Sequence, residues 1–316
     1  MGQGIYDQAR DYYEESLEIA RGLGNQNLVA SNLTNLGIAA FYQGNYEEAM
    51  SYYTESLPLH KAIGSKSHAA NVLINLGELD RIRGDYKAAW NYSFEALTLK
   101  EEIGDIRGRA ICLNNLGNIA TNLGDYEKAR AYCQESLGIR QELDNKQGAA
   151  SCYTNLGNIA LLEGDYPLAE NYYRQSLTIQ RQVGDLSGTV TGLVNLSLLA
   201  ARQGNLEQAN NLIGEVLQLN PASLNHLSLA PIFATMAIIR YQRSGKELES
   251  AYLVNLVGKL LTSSKGVLEE VYLQPYREIK LKFQAASNNL PPGKNETGKA
   301  QDLSESIQSA INIGLK

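Results

Sequence analysis

Long hydrophobic runs are missing from this chain: none of its 316 residues fall in an apolar stretch approaching the roughly 20 needed to cross a bilayer. No basic-then-apolar leader opens it, so no membrane anchor or export signal is expected. Met1-Gly2 begins a myristoylation-like string, but Tyr6 stands where Ser or Thr is required. Basic charge is also scarce. Lys and Arg total 28 against 34 Asp and Glu, a net charge of −6, and a phosphate backbone needs a concentrated basic face. Direct nucleic-acid binding by this segment is therefore not expected. Cysteine is limited to Cys112, Cys133 and Cys152. With no Cys-x-x-Cys pair, an odd number of thiols at packing positions reads as reduced core cysteines of a cytoplasmic protein.

The usual catalytic constellations are missing too. His60, His68 and His226 show no metal-ligand spacing, and His60 and His68 straddle a turn. The stretch Gly104-Asp105-Ile106-Arg107-Gly108 lacks the lysine and preceding strand of a phosphate loop. No Ser/His/Asp grouping is suggested by position. The expectation is a non-enzyme without cofactor or metal.

What the chain has instead is a period. Asn-Leu-Gly occurs at 35–37, 75–77, 115–117 and 155–157, and Asn-Leu-Ser at 195–197, each 40 residues after the last. A fixed period of this size signals stacked supersecondary units, each packing on its neighbours. Within the third unit, Ala110, Leu113, Leu116, Gly117 and Ala120 follow helical spacing over residues 106–123. Gly124 suits the left-handed residue after a last helical turn, and Asp125 suits the N-cap of the next helix. Tyr126, Ala129, Tyr132, Cys133 and Leu137 mark the buried stripe of that second helix. The same punctuation recurs at Gly44-Asn45, Gly84-Asp85, Gly164-Asp165 and Gly204-Asn205. A second break closes each unit at Gly24-Asn25, Gly64-Ser65, Gly104-Asp105, Asp144-Asn145 and Gly184-Asp185. Each unit therefore reads as an antiparallel helix pair. Mid-helix Gly37, Gly77, Gly117 and Gly157 each cost about 1 kcal/mol relative to alanine, which makes sense where a neighbouring helix crosses closely. Tyr46, Tyr86, Tyr126 and Tyr166, among 19 tyrosines against 4 phenylalanines, supply contact area and a hydroxyl for the wet edge.

Leu-Gly on the first helix, Gly-Asp/Asn-Tyr at the turn and Ala49, Ala89, Ala129 and Ala169 on the second resemble the tetratricopeptide repeat over about residues 6–219. The 40-residue form is similar to the longer subclass found in bacterial signalling regulators and in the animal adaptor that orients the mitotic spindle. Kinesin light chains are similar, but the His-Pro-type segment between their helices is absent here. The resemblance implies an all-α, right-handed α-α superhelix of helix hairpins with a helical C-terminal cap. The expected organisation is an array over 1–219 (one lone second helix plus five units), degenerate repeat and capping helices over 220–287, a linker at 288–298 and a short helix at 299–316. Helices are expected at 228–244, 247–262 and about 265–286. The tail from Ala251, with Leu290-Pro291-Pro292, Ala300 and Asp302-Leu303, resembles the endings of large bacterial STAND-type ATPase regulators. At the other end, Tyr6, Ala9, Tyr12 and Leu17 match a second helix without its partner. That stripe is expected to face water, implying a carboxy-terminal piece of a longer polypeptide or dimerisation through this helix.

The resemblance places the first helices on the concave face, and with them Asn35, Asn75, Asn115, Asn155 and Asn195, joined by Asn118 and Asn158 three residues along. Carboxamides donate and accept, as a peptide backbone demands. With helices about 8–10 Å apart and a strand advancing about 3.3 Å per residue, each unit spans roughly three peptide residues, and five units about a dozen. The same recurrence would arise if these asparagines bonded only to neighbouring helices. Around them Ile38, Phe41 and Tyr42 are apolar, Glu78 and Arg81 charged, Asn118, Thr121 and Asn122 polar, Leu161 and Leu162 apolar, and Arg202 closes the row. The expected function is a protein- or peptide-binding scaffold, the sensor or interaction array of a larger bacterial signalling regulator. A stand-alone adaptor and a small-molecule sensor of the maltose-regulator type are the alternatives.

Overall fold

A computed structural model describes residues 3–219, 226–242, 247–264, 266–268, 270–288, 307 and 310. Every regular element among the described residues is a helix, and the helices fall into two compact units, Met1–Asp144 and Asn145–Lys316.

The first unit holds α1 (Gln3–Gly22), α2 (Gln26–Tyr42), α3 (Tyr46–Ala62), α4 (Lys66–Arg83), α5 (Tyr86–Glu102), α6 (Ile106–Asn122) and α7 (Tyr126–Glu142). Helices α2/α3, α4/α5 and α6/α7 are antiparallel hairpins, each packed on the next, and α1 lies against α2. The turn residues act as their chemistry dictates. Gly24, Gly44, Gly64, Gly84, Gly104 and Gly124 all adopt positive φ, and Asp144 (φ 48°) is the one non-glycine residue to do so among the described residues. Asn25, Asp85, Asp105 and Asp125 accept the backbone N–H three residues on, capping α2, α5, α6 and α7.

The mid-helix glycines mark close crossings. A Cβ at Gly37 would lie 2.4 Å from the Tyr53 ring, and one at Gly117 2.4 Å from Cys133 Sγ and 3.1 Å from the Ala129 carbonyl. The residue facing each glycine varies in size (Tyr53, Ser93, Cys133, Tyr173), so these contacts are fitted one by one. Ser56 and Ser136 each donate from a second helix to a carbonyl of the first, at Ala30 (3.1 Å) and Ala110 (2.7 Å). The stripe of α1 divides: Leu17 is buried and Ala9 half-buried, while Tyr12 is exposed, and the Tyr6 side chain lies outside the described residues.

The second unit holds α8 (Lys146–Glu163), α9 (Tyr166–Gln182), α10 (Leu186–Arg202), α11 (Leu206–Gln218), α12 (His226–Gln242), α13 (Glu247–Ser264) and α14 (Glu270–Asn288). Helices α8/α9, α10/α11 and α12/α13 pair as hairpins, and one apolar core runs through all seven. The third tail helix begins at Glu270 rather than near 265 because α13 ends first, with the Gly266 N–H closing onto the Leu261 carbonyl at 3.2 Å. Helix α14 does not extend the stack. It packs back on α8 and α12, burying Val271, Tyr272, Tyr276 and Ile279. The expected linker at 288–298 and short helix at 299–316 lie outside the described residues, except for Asn288, the last residue of α14, and Ile307 and Ala310, both in the buried core.

Candidate functional site: the asparagine ladder in each unit

In the first unit Asn35, Asn75 and Asn115 sit at the middle of α2, α4 and α6, each half-buried. None of the three carboxamides makes a hydrogen bond among the described residues. A half-buried amide left with water for a partner is free to exchange that water for a ligand. Helical spacing puts Ile38 and Tyr42 on the Asn35 face, and Asn118 and Asn122 on the Asn115 face.

Phe41 stacks edge-on against Tyr42 (5.7 Å between centroids) and tilts against Tyr46 (5.5 Å), leaving Tyr42 59% exposed. Beside them Arg81 donates through Nε and Nη2 to the two carboxylate oxygens of Glu78, at 2.8 and 2.7 Å. The Tyr46 hydroxyl is pushed above its ordinary pKa, first by burial and then by the Glu78 carboxylate, with Arg81 opposing, so all three share one neighbourhood. Asn122 donates to the Asn118 carbonyl at 2.8 Å and to its side-chain oxygen at 3.2 Å. Thr121, read from sequence as a surface candidate, is buried and donates back to the Gly117 carbonyl.

The same repeat positions in the second unit are closed. Asn155, Asn158 and Asn195 are all buried, Asn195 to 1% exposure. Asn158 Oδ1 accepts from the Tyr173 hydroxyl at 2.8 Å and lies within 3.5 Å of Asn195 Nδ2. Asn195 Oδ1 accepts from the Tyr272 hydroxyl of α14. Arg202 Nη2 donates to the Val271 carbonyl, also on α14, at 3.3 Å. That carbonyl needs an outside donor, because its helical partner four residues on is Pro275, which has no N–H. Leu161 is buried and Leu162 half-buried. The sequence reading did not single out Tyr272. Its signal was a tyrosine pair, 272 and 276, one turn apart on an amphipathic segment.

A second row of polar residues also went unread. His60, Lys100, Arg140 and Gln180 occupy one repeat position near the end of successive second helices, and all are buried. Lys100 Nζ donates to Asn71 Oδ1 and Asp105 Oδ2, both at 2.8 Å, and holds the Asp105 carboxyl below its ordinary pKa, with help from the Gly108 N–H. His60 stacks on His68 (5.1 Å, 14° between planes), and its Nε2 lies 3.1 Å from Thr34 Oγ1. Burial and the neighbouring His68 lower its pKa. A cavity of about 330 Å³ beside it is lined by Lys61, Lys66 and Glu95, with Lys61 paired to Glu95. The His226 side chain lies outside the described residues.

The three cysteines are free and buried, and burial pushes the Cys112 thiol up to about 12. Among the described residues no group of three or more His, Cys, Asp or Glu could hold a metal ion, and no helix is long and apolar enough to cross a membrane.

The sequence matches the family model described as Tetratricopeptide repeat over residues 1–62, 29–102 and 108–182. No curated protein matches it. Among solved structures, the fold is similar to that of the Rap conjugation gene regulator of the plasmid pLS20 in complex with the Phr* peptide, at 17% identity over 88% of this chain and 80% of that one (TM-score 0.63). It is similar to aspartyl phosphate phosphatase F from Bacillus subtilis, at 14% identity over 90% and 77% (TM-score 0.59). It is also similar to BtubC (BKLC) from P. vanneervenii, at 22% identity over 69% and 91% (TM-score 0.56). At these identities the likeness is one of fold.

Proposed function

The chain belongs to the tetratricopeptide repeat family, and from that premise we propose that it is a protein-interaction scaffold whose first unit holds an extended peptide along α2, α4 and α6. The carrying observation is the three open carboxamides of Asn35, Asn75 and Asn115, half-buried and without partners among the described residues. Amides of this kind satisfy both the N–H and the C=O of an extended backbone. At about three residues per hairpin, three hairpins engage roughly nine residues of peptide. Selectivity comes from the flanks. Phe41 and Tyr42 suit an apolar or aromatic side chain, and Asn118 with Asn122 a polar one. The Glu78–Arg81 pair, already neutralised, rejects an uncompensated charge. Asn155, Asn158, Asn195 and Arg202 are assigned to the second unit's own packing and not to this peptide.

The role we propose is the sensor or interaction array of a larger signalling regulator. The peptide complex of the plasmid regulator, which has the same fold, supports it. The open carboxamides on three successive hairpins favour a peptide over a small molecule, which would engage one hairpin.

The test is capture from a displayed peptide library by wild type and by an Asn35→Ala/Asn75→Ala/Asn115→Ala variant. Enrichment of extended sequences by wild type, lost in the variant, is the expected result. Identical captured sets would remove the ladder from the mechanism. Capture lost by one single substitution alone would favour a small-molecule-like site.

A further inference from the structure

The second unit presents the same ladder in a different state. Asn195 stands where Asn75 and Asn115 stand in the first unit, yet it faces a helix instead of water. That helix, α14, is two-sided. Val271, Tyr272, Tyr276 and Ile279 are buried, while Arg277, Glu278, Lys280 and Leu281 are exposed.

Its contacts are specific as well as apolar. The Tyr272 hydroxyl meets the Asn195 carboxamide, and the Tyr276 hydroxyl reaches the Val254 carbonyl at 3.0 Å. Arg202, the last residue of α10, takes the one carbonyl that Pro275 strips of its helical donor. Buried polar groups of this kind reject any occupant that cannot match them. An extended peptide presents neither the two hydroxyls one turn apart nor the orphan carbonyl beside them.

We infer that the ladder face of the second unit is a receptor for an amphipathic helix bearing two tyrosines one turn apart, and that α14 occupies it in cis. A partner helix engages this face only by displacing α14. One chain then carries two recognition modes on equivalent positions, one open to an extended peptide and one reserved for a helix. The helix-receiving face stands independently of the peptide reading of the first unit.

The test uses the full chain and a fluorescent synthetic peptide of residues 270–288, followed by anisotropy. A Tyr272→Ala/Tyr276→Ala variant weakens the resident helix and should bind the probe about ten-fold or more tightly than wild type, whose apparent affinity is reduced by the fraction of chains with the face open. Adding Asn195→Ala should reverse the gain. Equal binding by wild type and variant would show that α14 does not compete for the face. No binding by a variant that keeps its helical circular dichroism would show that the face does not receive helices.

If the double variant fails to fold, Tyr272→Phe removes only the hydroxyl. Deuterium uptake over 270–280 should then rise about ten-fold while residues 26–122 stay unchanged. Unchanged uptake would overturn the proposal.

Discussion

Asn75 and Asn195 occupy one repeat position in two environments, and the same substitution should act on them in opposite directions. Asn75 makes no hydrogen bond among the described residues and is half-buried. Asn75→Ala therefore loses no protein contact and gains roughly 0.5 kcal/mol of helix propensity. Asn195 is 1% exposed and accepts from the Tyr272 hydroxyl, itself 3% exposed. Asn195→Ala removes that hydrogen bond from a buried hydroxyl, at about 1–3 kcal/mol, against the same propensity gain. The net loss is about 0.5–2.5 kcal/mol, which corresponds to roughly a 2- to 70-fold rise in local opening. Global melting is a poor readout, because stacked arrays need not unfold as one transition. Hydrogen–deuterium exchange resolved by segment is the suitable assay, with α4 read for Asn75→Ala and α10 and α14 for Asn195→Ala. If Asn195→Ala leaves α14 exchange unaltered, or Asn75→Ala accelerates α4 equally, the distinction between an open and a closed ladder is wrong.

Glycine substitutions should split by what faces them. Gly138→Ala, with nothing within 4 Å, gains about 1 kcal/mol, whereas Gly117→Ala, against Cys133 Sγ and the Ala129 carbonyl, loses about 1–3 kcal/mol, as read by hydrogen–deuterium exchange over α7 and α6 respectively. Acid should loosen the α3–α4 junction before the rest of the first unit. The folded pKa of His60 is lowered, so below its usual value near 6.5 the unfolded chain takes a proton that the folded chain refuses. Stability is then full above about pH 6.5 and is lost as pH falls toward the depressed folded value. His60→Gln should flatten that slope in exchange measurements between pH 7 and 5. Arg202→Met should destabilise α14 by about 1–2 kcal/mol, and much less in a Pro275→Ala background, where the Val271 carbonyl regains a helical donor. Equal losses in both backgrounds would show that the carbonyl is not what Arg202 serves.

The repeated part of the molecule was legible because each local rule appeared several times. The Gly-Asp/Asn turns announce both the left-handed residue and the cap; the structure has the left-handed glycine at each of the five, and the side-chain cap at all but Asn45. What escaped notice was what occurs once. The Tyr272–Asn195 contact joins residues 77 apart in sequence, and no periodicity encodes a singular long-range pair. A shared asparagine therefore does not imply a shared role, because its surroundings differ between α4 and α10. The row of His60, Lys100, Arg140 and Gln180 was missed for the opposite reason. Its positions repeat but its residue types do not, and a search for identical letters passes over it.

That row has a consequence for how such a gene can change. Tandem coding repeats are prone to slippage, which adds or removes one whole period and leaves the reading frame intact. Here Lys100 is matched to Asn71 and Asp105, while His60 is matched to Thr34 and His68. A one-period deletion whose ends fall between these partners would set a buried ammonium or imidazole against the wrong neighbours. Each junction thus works like a differently cut key, and a copy cut within such a set would lose its buried matches.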